Sequence, residues 1–291
     1  MSRTICTYPI TGALDKADEF LGPDRTWHAV NDTQRRFLGN HFVPCRRELG
    51  RIPEIESTAS RDHAVINRFL RERKFAIALN PFPPDGFGTA SVLDVTGKWR
   101  TMGTVRPLNV PDLSGEVPGV FLTRHVTFSL SRLGVIAHAM TESGDVANFA
   151  LMPDGPSKRQ APDDLALMEL VATERTGLRT YDALHFPMVN LDVQPDISWM
   201  LELWTNDDAG DRFKVAQAVQ QTKLKMNQFG FRAKSGVALG IMRTSVQPRP
   251  RPYVIDRPFL FWIERRGLAR PFLVAWITPD DFRDPGSLDD M

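Results

Sequence analysis

Polar and apolar residues alternate from Thr222 to Asn227. Thr222, Leu224 and Met226 fall on one side of an extended strand, and Lys223, Lys225 and Asn227 on the other. Two further runs, 259–263 and 272–277, are apolar throughout and flank a charged turn, Glu264-Arg265-Arg266-Gly267, which predicts a buried hairpin. Strand patterns also cover 75–79, 91–95, 126–130, 134–140 and 148–152, and they resume after His185. Residues 12–72 read as mostly helical and polar, with helix starts at Asp15, Asn31 and Ser60. Within 63–74, Val65, Ile66, Phe69 and Leu70 recur at helical spacing, with Arg and Glu on the opposite side. A last helix fits 162–173. Helices first and antiparallel strands later make an α+β chain. No composition shift marks a boundary, so one domain is expected over 1–291, mainly helical over 1–74 and a sheet core over 75–291.

Composition changes this picture little. Of the 291 residues, 42% are apolar and 24% charged, as in ordinary soluble chains, and the net charge of +1 gives no bulk attraction for nucleic acid or an anionic membrane. No run approaches the roughly 18 apolar residues of a membrane helix. The first twenty residues lack the apolar core of a signal peptide, which predicts a cytoplasmic chain with Cys6 and Cys45 reduced. Gly-rich phosphate loops, C-x-x-C pairs, G-x-S-x-G elbows and metal-ligand histidine spacings are all missing from the sequence.

One charge stands where a strand is expected. Asp94 lies within Ser91-Val92-Leu93-Asp94-Val95-Thr96 and by alternation shares a face with Val92 and Thr96. A carboxylate in mid-sheet is costly to bury, and burial raises its pKa toward the range useful to a general base. The same residue could instead form a structural ion pair or face solvent at the sheet rim. Arg71 and Arg73 end the preceding helix and have the fork that binds carboxylates, although a solvated Arg-Glu-Arg-Lys face reads equally well. Between them and Asp94 runs a Pro/Gly loop, 80–88, in which Phe82 and Phe87 either wall an aromatic pocket or staple the loop down.

Several segments resemble the serpins. Asp256-Arg-Pro-Phe-Leu-Phe-Trp-Ile263 with its following strand resembles the serpin C-terminal hairpin. Thr89 to Trp99 resembles the central strand that ends in a Gly-x-Trp turn. VANFALMPDG at 146–155 and HFPMVNL at 185–191 resemble two intervening strands, in the serpin order. The resemblance covers roughly residues 75–279 and implies an N-terminally shortened serpin-like fold with a large, mostly antiparallel sheet. It also implies a reactive loop after Gly230 that, in inhibitors, inserts into the sheet through a hinge of small residues. Here Phe231, Arg232, Ala233 and Lys234 stand at the hinge, and charge is expensive to bury in a sheet. The expectation is a serpin scaffold without the suicide-inhibitor mechanism.

The Arg, Pro/Gly-loop and Asp94 arrangement on such a scaffold further resembles the bacterial Pictet–Spengler enzymes that make β-carbolines from tryptophan. That resemblance implies a cofactor-free cyclase that joins an amine and an aldehyde, and it admits a homodimer. It makes Arg71 or Arg73 the holder of the substrate carboxylate, Asp94 the acid/base and Phe87 a pocket wall. The acid of that family's better-known member is Glu where this chain has Asp, and its aromatising member has a His between Arg and acid. Residues 72–93 contain none, so the product should stop at a tetrahydro-β-carboline. The alternative is a protease inhibitor or a non-catalytic, ligand-binding serpin relative.

Overall fold

The C-terminal hairpin forms the centre of the largest sheet. The computed structural model describes residues 1–152, 154–155, 163–232 and 251–288. Its seven-stranded sheet runs β1 (Arg3–Ile5), β19 (Leu273–Ile277), β18 (Phe259–Glu264), β9 (Val146–Leu151), β8 (Gly134–Met140), β7 (Val126–Ser131), β10 (Thr176–Leu178), every pair antiparallel. The run at β18 is apolar without a break because both faces are covered. Phe259, Phe261 and Ile263 enter one core, while Leu260 and Trp262 enter a second beneath helix α6 (Ala166–Val171). A four-stranded sheet, β17 (Pro252–Val254), β11 (Ala183–Pro187), β6 (Glu116–Leu122) and β5 (Thr104–Asn109), contributes Phe186 to the first core.

The site is built from two smaller sheets. In one, β12 (Val189–Val193) pairs with β15 (Thr222–Asn227), then β16 (Gly230–Phe231), then β4 (Gly97–Lys98). In the other, β2 (Ile55–Ser60) pairs with β3 (Gly88–Leu93). A further hairpin joins β13 (Trp204–Asn206) to β14 (Arg212–Lys214). Helix α1 (Thr7–Lys16) rests on β2 and β3 through Gly12, where a Cβ would lie 2.6 Å from the Ser91 hydroxyl. Ser57 donates to that same hydroxyl at 2.9 Å. Helix α5 (His63–Glu72) covers the other face, with Ile66 and Leu70 against Ala90 and Val92. The remaining helices, α2 (Asp18–Leu21), α3 (Asp32–Phe37) and α4 (Val43–Glu48), lie in the N-terminal region.

Several expectations shift. The N-terminal region is less purely helical than its polarity suggests, because β1 and β2 lie within it. Helix starts fall at Thr7 rather than Asp15, and at His63, where Asp62 rather than Ser60 is the cap and accepts from the Ala64 amide. Asn31 does cap α3, accepting from the Gln34 amide at 2.8 Å. The 162–173 helix shortens to α6. Residues 75–79 alternate in exposure but join no backbone ladder. Side chains bridge the gap instead: the Ala76 amide donates to Gln221, the Asn80 amide to Gln217 and the Leu79 amide to Asn67. Asn227, expected to face outward, is buried, and its amide donates to the Gly286 carbonyl.

A cationic cleft between two strand edges

Strands β3 and β15 each have one edge unpaired along most of its length, and residues of both line one cleft. A seam closes the space at one end. There β16 pairs with β4, the Phe231 ring packs where Gly97 has no side chain, and Trp99 donates its Nε1 proton to the Asn227 carbonyl at 2.8 Å. Away from the seam the edges part and leave a cavity of about 570 Å³. Its floor is α1, through Ile10, Ala13 and Leu14, and Phe75, Ile77 and Leu79 wall one side. Cavities of about 300–1,000 Å³ with mostly apolar linings are the usual hosts of small organic ligands.

The polar rim is strongly biased. Among the described residues, Arg73, Arg212, Lys214, Lys223, Lys225 and Arg232 line the cleft against two carboxylates, Asp85 and Asp94. The whole chain carries a net charge of only +1, so the cleft concentrates positive potential that the protein as a whole lacks.

Three of the four residues selected from sequence, Arg73, Asp94 and Phe87, line this one cavity; Arg71 does not, and its side chain is exposed on α5. Their environments differ from expectation. Strand β3 ends at Leu93, so Asp94 lies just past the strand rather than at its centre. Its side chain is 47% exposed and ion-paired to Arg232, which displaces the expectation of a buried carboxylate. Arg73 is already engaged: its Nη2 pairs with Glu56, its Nη1 donates to the Phe69 carbonyl at 3.1 Å, and its guanidinium lies 3.8 Å over the Phe69 ring. Phe87 stacks on Phe20 at 4.8 Å and approaches Phe213 at 6.0 Å. It precedes β3 while Asp94 follows it, a separation of about 23 Å at roughly 3.3 Å per strand residue. The sequence-selected residues therefore share a cleft without forming one cluster. Phe82 does both things weighed for it: it lines the cavity, and its ring tip lies 2.3 Å from where a Gly88 Cβ would sit.

Arg232 is the site residue that sequence reasoning missed. It was read only as poor hinge material, and its pairing with a residue far away in sequence leaves no local signal. Cys6 also lines the cleft, but burial pushes its thiol up to about 12, offset only in part by a hydrogen bond with Thr222, so it stays protonated and offers no thiolate. Cys45 is likewise buried and free. Elsewhere, His138 Nδ1 lies 2.6 Å from Asn148 Oδ1 and its Nε2 lies 2.7 Å from Ser129 Oγ. Ser129 is only 6% exposed, so this relay braces the large sheet and does not meet a substrate. Among the described residues no group of His, Cys, Asp and Glu could hold a metal ion, and no helix is long and apolar enough to cross a membrane.

Searches over the whole chain return structural neighbours alone; no family model and no curated protein matches the sequence. A serpin of the insect Tenebrio molitor, described as highly specific, superposes with a TM-score of 0.58 at 11% identity, over 95% of this chain and 91% of that one. Thyroxine-binding globulin in complex with thyroxine gives 0.55 at 12% identity, over 95% and 92%. The fold is that of a serpin. The serpin-like, mostly antiparallel α+β architecture expected from the hairpin and the Gly-x-Trp strand is thus present. At these identities the likeness extends to the fold alone. The hinge residues beyond Arg232 and the loop prolines Pro248 and Pro250 lie outside the described residues.

Proposed function

We propose that the cleft is the active site of a cofactor-free Pictet–Spengler cyclase that condenses tryptophan, or a related arylethylamine, with an aldehyde to give a tetrahydro-β-carboline. The observation that carries this reading is the coincidence of Arg73, Phe87 and Asp94 in one apolar cavity with a cationic rim. The apolar walls suit an indole, and the rim suits the carboxylate that distinguishes an amino acid from a simple amine.

The chemistry balances without electrons from a cofactor. The amine adds to the aldehyde and loses water to form an iminium. The indole carbon attacks the iminium carbon, and the cation so formed gives up its ring proton to restore aromaticity. A proton on such a cation is strongly acidic, so an ordinary carboxylate suffices to take it, and Asp94 needs no raised basicity for that step. Holding iminium and indole together is worth up to about 7–11 kcal/mol in favourable intramolecular cases. A positioned acid/base contributes about 10²–10⁴-fold.

A carrier without catalysis is the second reading. It is favoured by the thyroxine bound in one neighbour of the same fold. Incubation of the protein with tryptophan and a panel of aldehydes, without added cofactor, followed by mass spectrometry, separates the two. The expected product has the summed mass of the two substrates less one water, and chromatography separates it from the open-chain imine of equal mass. Tryptophan binding by calorimetry with product forming no faster than in buffer would leave the carrier. A product four hydrogens lighter, formed at the rate of cyclisation under anaerobic conditions, would mean that an oxidising function operates as well.

A further inference from the structure

Of the six cations that line the cleft among the described residues, five are engaged with groups outside it or with the backbone. Arg73 is bound by Glu56 and the Phe69 carbonyl. Arg212 lies 4.0 Å over the Trp204 ring, and Lys214 pairs with Glu202 at 2.8 Å. Lys223 donates to the Lys74 carbonyl at 2.6 Å, and Lys225 to the Ser287 carbonyl at 3.0 Å. Arg232 differs. Its charged partner, Asp94, also lines the cleft, and only Nη1 is used in that pair. Its Nε is buried and has no acceptor, and Nη2 has none among the described residues.

A guanidinium has two edges that can each take a carboxylate in a planar fork. Asp94 occupies the outer edge of Arg232. The Nε–Nη2 edge carries a desolvated donor without a partner, an expensive state that a bound acceptor relieves. Arg73 also has a buried, unpartnered Nε, but both of its Nη atoms are engaged, so it can add one bond and not a fork. The backbone gives a second sign. Arg232 has a φ of +20°, outside the regions ordinary residues prefer, and its amide is tied to the Lys225 carbonyl at 3.1 Å. Strain of this kind persists where the surroundings hold a residue in place, and it concentrates at functional sites.

We propose that Arg232 binds the α-carboxylate of the substrate through its Nε–Nη2 edge, and so makes the cleft selective for amino acids over the corresponding decarboxylated amines. This rests on the cyclase reading for the identity of the substrate, and it adds the residue that reads the carboxylate. The same planar group then touches the substrate on one edge and Asp94 on the other. The distance from the substrate backbone to the proton-accepting oxygen is thereby set by one rigid side chain.

Calorimetry with tryptophan, tryptamine, indole-3-acetate and indole tests it directly. The wild-type protein should bind tryptophan above tryptamine, and indole-3-acetate above indole. Arg232→Gln should weaken tryptophan by about 10- to 100-fold, the worth of hydrogen bonds to a charged group, and leave tryptamine unchanged. Arg232→Lys, which keeps the charge and the pairing with Asp94 but lacks the fork, should fall between. Arg71→Ala, outside the cleft, should change neither ligand. The proposal is overturned if Arg232→Lys or Arg232→Gln binds tryptophan as the wild type does, or weakens both amines equally. It is also overturned if the wild type shows no preference for the carboxylate-bearing member of each pair. If tryptophan binding depends on Arg232 but no cyclised product forms, Arg232 keeps its role and the cyclase reading falls.

Discussion

Asp94 can be tested cleanly because it is half exposed. Asp94→Asn keeps the shape and removes the charge at a position where burial contributes little, so the variant should fold with a melting temperature near that of the wild type. Cyclisation should fall by about two to four orders of magnitude; turnover close to wild type would remove Asp94 from the site. A second residue ties the stability of the fold to acid pH. His41 is 2% exposed, and burial, reinforced by Arg270 and Arg36, lowers its pKa to about 4. Its Nδ1 accepts from Arg270 Nε at 3.1 Å. The unfolded chain takes this proton near pH 6.5 and the folded chain refuses it, so stability is lost as pH falls from about 6.5 to about 4. At 1.36 kcal/mol per pH unit the loss from this one group is of order 3 kcal/mol. His41→Gln keeps an acceptor for Arg270 but cannot be protonated, and urea melts at pH 4.5 and 7 should differ less for it than for the wild type. Asp94 and Arg73 were legible in the sequence as charges beside a strand pattern. That Arg73 is taken by Glu56 and Asp94 by Arg232 was not, since both partners arrive through the packing of separate elements.

Among the elements, the seam between β16 and β4 depends on the absence of side chains. A methyl at Gly230 would sit 2.0 Å from the Gly97 carbonyl oxygen, and one at Gly97 would sit 2.2 Å from the Phe231 ring tip. Gly230→Ala should force the two strands apart and cost roughly 1–3 kcal/mol or more, as overpacking of a well-filled site does. A lowered denaturation midpoint with increased solvent access at Trp99, which is 3% exposed here, would register it. An unchanged midpoint would mean that the strands re-pair around the methyl. Strand β8 appears with the bounds its pattern predicts, and β15 shows the predicted alternation at all positions but Asn227. Both strands are half-buried, so polarity reports facing. Strand β2, Ile55-Glu-Ser-Thr-Ala-Ser60, gave no such signal. Its Ser and Ala side chains are small because Gly12 of α1 lies against the sheet there, and small polar residues read as a loop. The 75–79 segment misled in the opposite direction: its alternation is real, but glutamine side chains take the place of a neighbouring strand.

For the molecule as a whole, the apolar pattern predicted a C-terminal hairpin buried on both faces, and the serpin fold followed from the resemblance of that hairpin and of an ordered series of short segments to that family. The function was not legible in the same way, since the cleft's charge is gathered from residues between 73 and 232 and no local window shows it. The first two residues after Gly230 are held in the closed seam, Phe231 by ring packing and Arg232 by Asp94. Release of this segment into the sheet would have to break both contacts and carry an arginine with it. The protein should therefore form no covalent, SDS-stable complex with trypsin-like or subtilisin-like proteases, and such a band on a denaturing gel would refute this.

The unpaired edges of β3 and β15 have a thermodynamic corollary. A molecule lodged between them occupies the space that an added strand would need, so the two outcomes compete for one vacancy. By mass action, a ligand that binds only the open arrangement stabilises it by RT ln(1 + [L]/Kd), about 2.7 kcal/mol at a hundredfold excess over Kd. A molecule bound there would act as a wedge between the two edges, and its supply would set how firmly the gap is held open.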